Sequence, residues 1–262
     1  MENKKTKILI VGAEALPFAA TGGLGDVLGS LPAALAREAS DADIRVVMPL
    51  YAKVGAEYRE KMTKVAEITV KLAWRNQYCG IYSLEKDGVI YYFLDNEYYF
   101  DRDALYGFFD DGERYAFFSR AVMDMIPAID FYPDVLHAND WQSAMSVVYL
   151  NLCYREKSGY ENIKTVFTIH NIEYQGKYDM SILADIFGLD WKHVGLMEWE
   201  NSMNLMKAAI VCADRVSTVS PSYAREIQTP EYAHGLDSLL REHSYKLTGI
   251  LNGIDYIYND PH

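Results

Sequence analysis

The feature that most constrains this chain is an alternation of short Ile/Val-rich runs with longer segments of helical spacing. Residues 8–13 form the first run. Residues 24–38 read as a helix with Leu24, Val27, Leu28, Leu31 and Leu35 along one face. Pro32 falls early in that segment, so the helix either starts there or bends there. A second strand, 44–48, is stopped by Pro49. The alternation resumes with a helix over 112–125, a strand over 135–138, a helix from Gln142 and a strand over 164–169. A helix around 200–213 precedes a strand at 215–219; Ser220 then caps a helix with Pro221 in its first turn, and residues 247–251 form a last strand. Buried parallel strands are continuous apolar runs, so this order predicts an α/β chain with a Rossmann-like, doubly wound, mostly parallel sheet. Residues 65–72, 78–84 and 89–94 break the pattern, following one another without helices and with Lys86-Asp87-Gly88 as a tight turn. They predict an antiparallel β insertion or edge.

Composition narrows the function classes. At 262 residues, 50% hydrophobic and 24% charged, the chain is globular and long enough to bury a sizeable core. A net charge of −12 argues against nucleic acid and against an anionic membrane surface, although one local anion site remains compatible with it. Cys79, Cys153 and Cys212 are odd in number and far apart, which builds neither a disulfide framework nor a zinc ribbon. The start superficially resembles a signal peptide, but Glu14 and Pro17 interrupt its apolar stretch, and no segment approaches the roughly 20 apolar residues that span a bilayer. A cytoplasmic protein is expected.

Three loops carry the candidate chemistry. After the first strand, Thr21-Gly22-Gly23-Leu24-Gly25-Asp26 stands before a helix, where absent Cβ atoms and free amides suit an anion; a flexible loop with helix-start glycines is the plainer account. A dinucleotide fingerprint fails because Leu28 occupies the third glycine position, and no Gly-Lys-Ser/Thr completes a P-loop. His137-Ala-Asn-Asp140-Trp141-Gln142 follows one strand, and Thr168-Ile-His170-Asn171-Ile-Glu173-Tyr174-Gln175-Gly176 follows another. Ligands of open α/β sheets sit beyond the carboxyl ends of strands, so these loops converge on one crevice. Amide, imidazole and carboxylate groups beside aromatic rings suit a neutral polyhydroxyl ligand, which needs donors, acceptors and a stacking face. Neither a metal-ligand spacing nor a Gly-x-Ser-x-Gly elbow occurs, so no metal or cofactor is expected. Asp140 and Glu173 as a glycosidase pair have no support beyond following strands. The aromatics Tyr98, Tyr99, Phe100, Tyr106, Phe108 and Phe109 fit core packing under a loop and carbohydrate stacking equally.

The ordered motifs together resemble one family. Lys7-Ile-Leu-Ile-Val-Gly-Ala-Glu14, Pro17-Phe18, Thr21-Gly-Gly-Leu-Gly-Asp26-Val27 and Ser30-Leu-Pro32 are similar to the amino-terminal signature of bacterial glycogen synthases and plant starch synthases. Asp103-Ala-Leu-Tyr106-Gly, His137-Ala-Asn-Asp140-Trp, Thr168-Ile-His170-Asn171, Val219-Ser-Pro-Ser-Tyr-Ala-Arg-Glu-Ile227 and Leu251-Asn252-Gly-Ile-Asp255 match in order across essentially the whole chain. The resemblance implies one half of a two-domain GT-B glycosyltransferase that moves glucose from ADP-glucose to the non-reducing end of an α-1,4-glucan such as glycogen, with retention of configuration. It implies that the loop 21–26, including Thr21, Gly22, Gly23 and Asp26, faces the donor phosphates, and that His170 lies against the donor glucose. Asp140, Asn171 and Tyr106 would contact sugar hydroxyls or the acceptor, with His170 and Asp140 as the catalytic pair, and Asn252 would line the cleft near the hinge. Two positions depart from the family: Ala20 stands where Lys is usual, and Gln142 where His is frequent. The resemblance ends at the hinge, so residues 1–262 are expected to be the amino-terminal domain, without the carboxy-terminal nucleotide-binding domain of the same polypeptide. Alone, the chain is expected to be inactive. A non-catalytic glucan-binding or regulatory module derived from a synthase is the alternative, with Ala20 as its best support.

Overall fold

The computed structural model describes residues 5–253. Residues 254 and 255 of the last motif and the closing segment 257–262 lie outside the described residues. Strands are numbered in chain order, β1 (Thr6–Val11), β2 (Ala42–Pro49), β3 (Thr63–Leu72), β4 (Arg75–Lys86), β5 (Val89–Asp95), β6 (Val135–Asn139), β7 (Lys164–Ile169), β8 (Lys177–Tyr178), β9 (Glu198–Trp199), β10 (Ser202–Asn204), β11 (Arg215–Thr218) and β12 (Leu247–Gly249). Nine of them form one sheet, in the order β12-β11-β7-β6-β1-β2-β5-β4-β3, and β8-β10-β9 form a separate small sheet. Every pairing from β12 to β5 is parallel; β5–β4 and β4–β3 are antiparallel, so the three helix-free runs are an edge rather than an internal insertion. The β4–β5 turn places Asp87 (φ 53) and Gly88 (φ 76) in the left-handed region that a two-residue hairpin turn requires.

The helices that matter here are α1 (Gly23–Glu38), α2 (Asp111–Ala128), α3 (Trp141–Tyr149), α4 (Leu205–Cys212) and α5 (Pro221–Glu226). Helix α1 continues through Pro32 and neither begins nor stops there, forgoing one backbone bond at the proline. Helix α4 is shorter than its sequence suggests. Glu200 (φ 51) and Asn201 (φ 63) close a hairpin between β9 and β10, and the helix starts only where the Asn204 side chain accepts from Lys207 N. The apolar spacing continues across that turn, whereas the backbone does not. Ser220 caps α5 as expected, accepting from Tyr223 N with Pro221 in the first turn. The apolar strand runs form the core: Leu9, Ile10 and Val11 of β1 and Val46, Val47 and Met48 of β2 are all fully buried.

Candidate active site

Sheet order reverses between β1 and β6. From β1 the chain moves through β2 towards β5, and from β6 through β7 towards β12, leaving a crevice outside the carboxyl ends of the two central strands. A cavity of about 840 Å³ opens there. Of the residues singled out from sequence, Thr21, Gly22, Gly23, Tyr106, Asp140, His170, Asn171 and Asn252 line it. Asp26 does not; it sits exposed in the first turn of α1, where its carbonyl accepts from Ser30 Oγ. His137 is also outside the lining, hydrogen-bonded through Nε2 to Thr168 Oγ1 at 2.6 Å.

Glu14 organises the glycine loop. Its carboxylate accepts from Thr21 N (2.5 Å), Thr21 Oγ1 (2.8 Å), Gly22 N (3.2 Å) and the Tyr106 hydroxyl (2.6 Å), and the residue is buried. Amides that the sequence offers to an anion are therefore occupied by a carboxylate of the same chain. Gly22 and Gly23 have negative or extended backbone angles, and an added Cβ at either would meet nothing within 4 Å. The fold itself does not demand glycine at these two positions, so their missing side chains leave room above the helix start. Gly25 differs: a Cβ there would lie 2.2 Å from the Cβ of Ala20, packing the loop onto α1.

Asp140 holds the second loop in place. It adopts φ 56, ψ 178, a region that only glycine occupies readily and that costs other residues about 1–3 kcal/mol. The conformation is overdetermined: Oδ1 accepts from His170 N (2.7 Å) and Asn171 N (3.3 Å), and the Asp140 amide donates to Thr168 O (3.0 Å). Burial pushes its carboxyl up to about 7, against the two backbone amides that favour the ion.

The hydrogen-bond partners of Asn139 determine the state of His170. Asn139 Nδ2 donates to Val11 O and His137 O, which leaves Oδ1 as acceptor 2.9 Å from His170 Nε2. That nitrogen therefore carries the proton. Burial, reinforced by His137, lowers the imidazole to about 4, so it is neutral at pH 7 and Nδ1 keeps its lone pair. Gln142 adds a buried acceptor to the lining, since its Oε1 has no hydrogen-bond partner.

Two lining carboxylates escape a reading of the sequence for function. Glu14 carries a signal, an acid embedded in an apolar strand-to-loop junction. Asp111 carries less: it opens α2, where Oδ2 accepts from Gly107 N (2.8 Å) and Phe108 N (3.3 Å) while Oδ1 meets buried Arg114 (2.5 Å). That bracing shapes the loop bearing Tyr106. The aromatic cluster divides: Tyr99 and Phe100 are core, Tyr106 is in the cavity, and Tyr98 and Phe109 are exposed. Among the described residues, no Lys or Arg lines the cavity, and no group of three or more His, Cys, Asp or Glu side chains could hold a metal ion.

The arrangement resembles known proteins closely. The family model of the starch synthase catalytic domain matches residues 7–242. A glycogen synthase of Lactobacillus acidophilus is 52% identical over 257 residues, covering 97% of this chain and 54% of that protein. A glycogen synthase of Clostridioides difficile is 50% identical over 261 residues, with 97% and 54% covered. Among solved structures, the catalytic domain of starch synthase IV from Arabidopsis thaliana, bound to ADP and acarbose, superposes with a TM-score of 0.89 at 31% identity, covering 98% of this chain and 54% of that one. The chain spans about half the length of the curated relatives it matches.

Proposed function

The chain belongs to the starch synthase catalytic domain family, and on that premise we propose that it is the amino-terminal, acceptor-side half of a glycogen or starch synthase. The whole protein would transfer glucose from ADP-glucose to the non-reducing end of an α-1,4-glucan with retention. The observation that carries this reading is the cavity at the switch point, whose lining combines donors, acceptors and aromatic rings without a cation. Glu14, Asp111 and Asp140 line it, so a diphosphate held only by this chain would face carboxylates. A neutral sugar meets no such penalty. The division of labour follows: this half holds hexose, and cations that neutralise the leaving phosphate come from the remainder of the protein.

In that reaction, bond breaking builds positive charge at the sugar carbon and negative charge on the departing phosphate. Asp140, His170 and Asn171 lie together in the wall, with the donor glucose against His170. The free Nδ1 of the neutral His170 accepts a sugar hydroxyl, and Asn171 and Tyr106 fix acceptor hydroxyls. The carboxyl of Asp140 faces the developing cation as an electrostatic stabiliser. No side-chain nucleophile is assigned; attack from the front face, assisted by the leaving phosphate, accounts for retention. The cytoplasm, where a nucleotide-sugar donor is made, is the proposed location, and among the described residues no helix is long and apolar enough to cross a membrane.

The test has two parts. Calorimetry of this 262-residue chain should detect maltotriose or acarbose and only weak binding of ADP-glucose, and a radiolabel assay should detect no transfer. A protein of the relatives' full length should elongate glycogen from ADP-glucose. Ala20, where the family usually has Lys, favours a second reading, a glucan-binding module without catalysis. Absence of elongation by the full-length protein, with glucan binding retained, would select it.

A further inference from the structure

One buried polar side chain at the switch point belongs neither to the cavity lining nor to the apolar core. Asn139 ends β6, is 1% exposed, and lies opposite Thr168 of β7, two residues before His170. Its backbone is clamped from α3: Asn139 N donates to Ser143 Oγ (2.6 Å), and that hydroxyl donates to Asn139 O (2.7 Å). The side chain spans three neighbouring strand ends. Nδ2 donates to Val11 O at the end of β1 (3.1 Å) and to His137 O in β6 (3.2 Å), while Oδ1 lies 2.9 Å from His170 Nε2 beyond β7.

The direction of every bond in this chain follows from its first members. A backbone carbonyl only accepts, so turning the Asn139 amide over would break two bonds and set Oδ1 against two carbonyl oxygens. The amide orientation is therefore fixed by the main chain. Its oxygen also only accepts, and Nε2 must carry the ring proton. His170 lines the cavity, and with Nε2 engaged, Nδ1 is the ring nitrogen left for a ligand. Burial lowers both His137 and His170 to about 4, so neither ring adds a second proton at pH 7.

We propose that Asn139 is a positioning residue that sets specificity: through His170 it makes one point of the cavity wall a pure hydrogen-bond acceptor, which takes a ligand hydroxyl and rejects a group that cannot donate. The inference rests on the reading that the cleft holds a hexose. A fluorine, ether or carbonyl at the same place would set lone pair against lone pair, and a missing hydroxyl would leave Nδ1 unpaired. Because Ser143, Val11 and His137 hold the amide before any ligand arrives, no ordering of Asn139 offsets the contact.

Two measurements test it. Long-range ¹H–¹⁵N spectra of the 262-residue chain at pH 8 should show His170 protonated at Nε2, with a slowly exchanging ring proton. Asn139→Leu should lose that slow proton. Asn139→Asp, which gives up the bonds to Val11 and His137 but keeps an oxygen beside Nε2, should retain it. In a protein of the relatives' full length, kcat/KM is then measured with ADP-glucose and with forms in which each glucose hydroxyl is replaced in turn by fluorine. At one position fluorine should cost the wild type about tenfold or more. Asn139→Leu should lower kcat/KM for ADP-glucose and shrink that discrimination to about threefold or less, whereas Asn139→Asp should preserve it. A wild-type ring protonated at Nδ1 overturns the proposal, as does discrimination that is absent from the wild type or unchanged in Asn139→Leu. Leu and Asp variants that behave alike in both measurements reduce Asn139 to a structural part and overturn it too. Absence of turnover by the full-length protein removes the reading of the cleft, and the specificity drawn from it, while the spectrum judges the tautomer by itself.

Discussion

Replacing Asp140 with Asn gives a direct test of the buried carboxyl. The change keeps one oxygen for the His170 and Asn171 amides and removes only the ability to ionise. In the folded chain burial moves the group from 3.8 to about 7, so the native state holds a proton that the unfolded chain has released. Stability from this group is complete below pH 3.8 and is lost as pH rises to about 7. Integrated between pH 4.5 and pH 8, the loss is about 3 kcal/mol, or about 6 °C in Tm for a domain of this size. His137 and His170, lowered to about 4, act in the opposite direction, since the chain gains stability as pH rises from 4 to 6.5. They are common to both proteins and cancel in the comparison. Urea denaturation of wild type and Asp140→Asn at the two pH values should therefore give a variant whose stability relative to wild type rises by about 3 kcal/mol from acid to alkaline conditions. A stability of the variant relative to wild type that stays constant with pH, or falls from acid to alkaline conditions, would refute the reasoning.

Other substitutions test separate parts of the wall. Glu14→Gln replaces a carboxylate that receives four donors with an amide that can accept at one oxygen only; thermal melts should show a loss of about 2–3 kcal/mol. Gly25→Ala drives a methyl into Ala20 and should cost about 1–3 kcal/mol, whereas Gly23→Ala should leave Tm unchanged or slightly raised and weaken maltotriose binding in calorimetry. Equal effects of the two glycine changes on stability would remove the case that the space above α1 is kept for a ligand. Gln142→Met removes an acceptor that the folded chain leaves unpaired, so stability should hold or rise by about 1 kcal/mol while oligosaccharide affinity falls.

The strands were legible because burial on both faces forces continuous Ile, Val and Leu runs, as at Leu9, Ile10 and Val11. Convergence of three loops on one crevice followed from their positions after strands. What periodicity could not reveal was local backbone state. The left-handed pair Glu200-Asn201 interrupts an apolar pattern that otherwise continues into α4, and nothing in the residue types of Asp140 announces its φ of 56. Glu14 illustrates a different limit. Its neighbours in sequence show an acid in an apolar stretch, but its chemical partners lie at Thr21, Gly22 and Tyr106, and only the closed loop brings them together.

The place of β1 in the sheet has a consequence for synthesis. Among the described strands β1 is synthesised first; it pairs with β2 on one side, but its other neighbour, β6, begins at Val135. At about 5–20 residues per second, an Ile- and Val-rich edge waits on the order of 6–25 s before that partner exists. During this interval the nascent chain presents an open template for foreign β pairing, and the crevice between β1 and β6 cannot take shape until Val135–Asn139 has emerged.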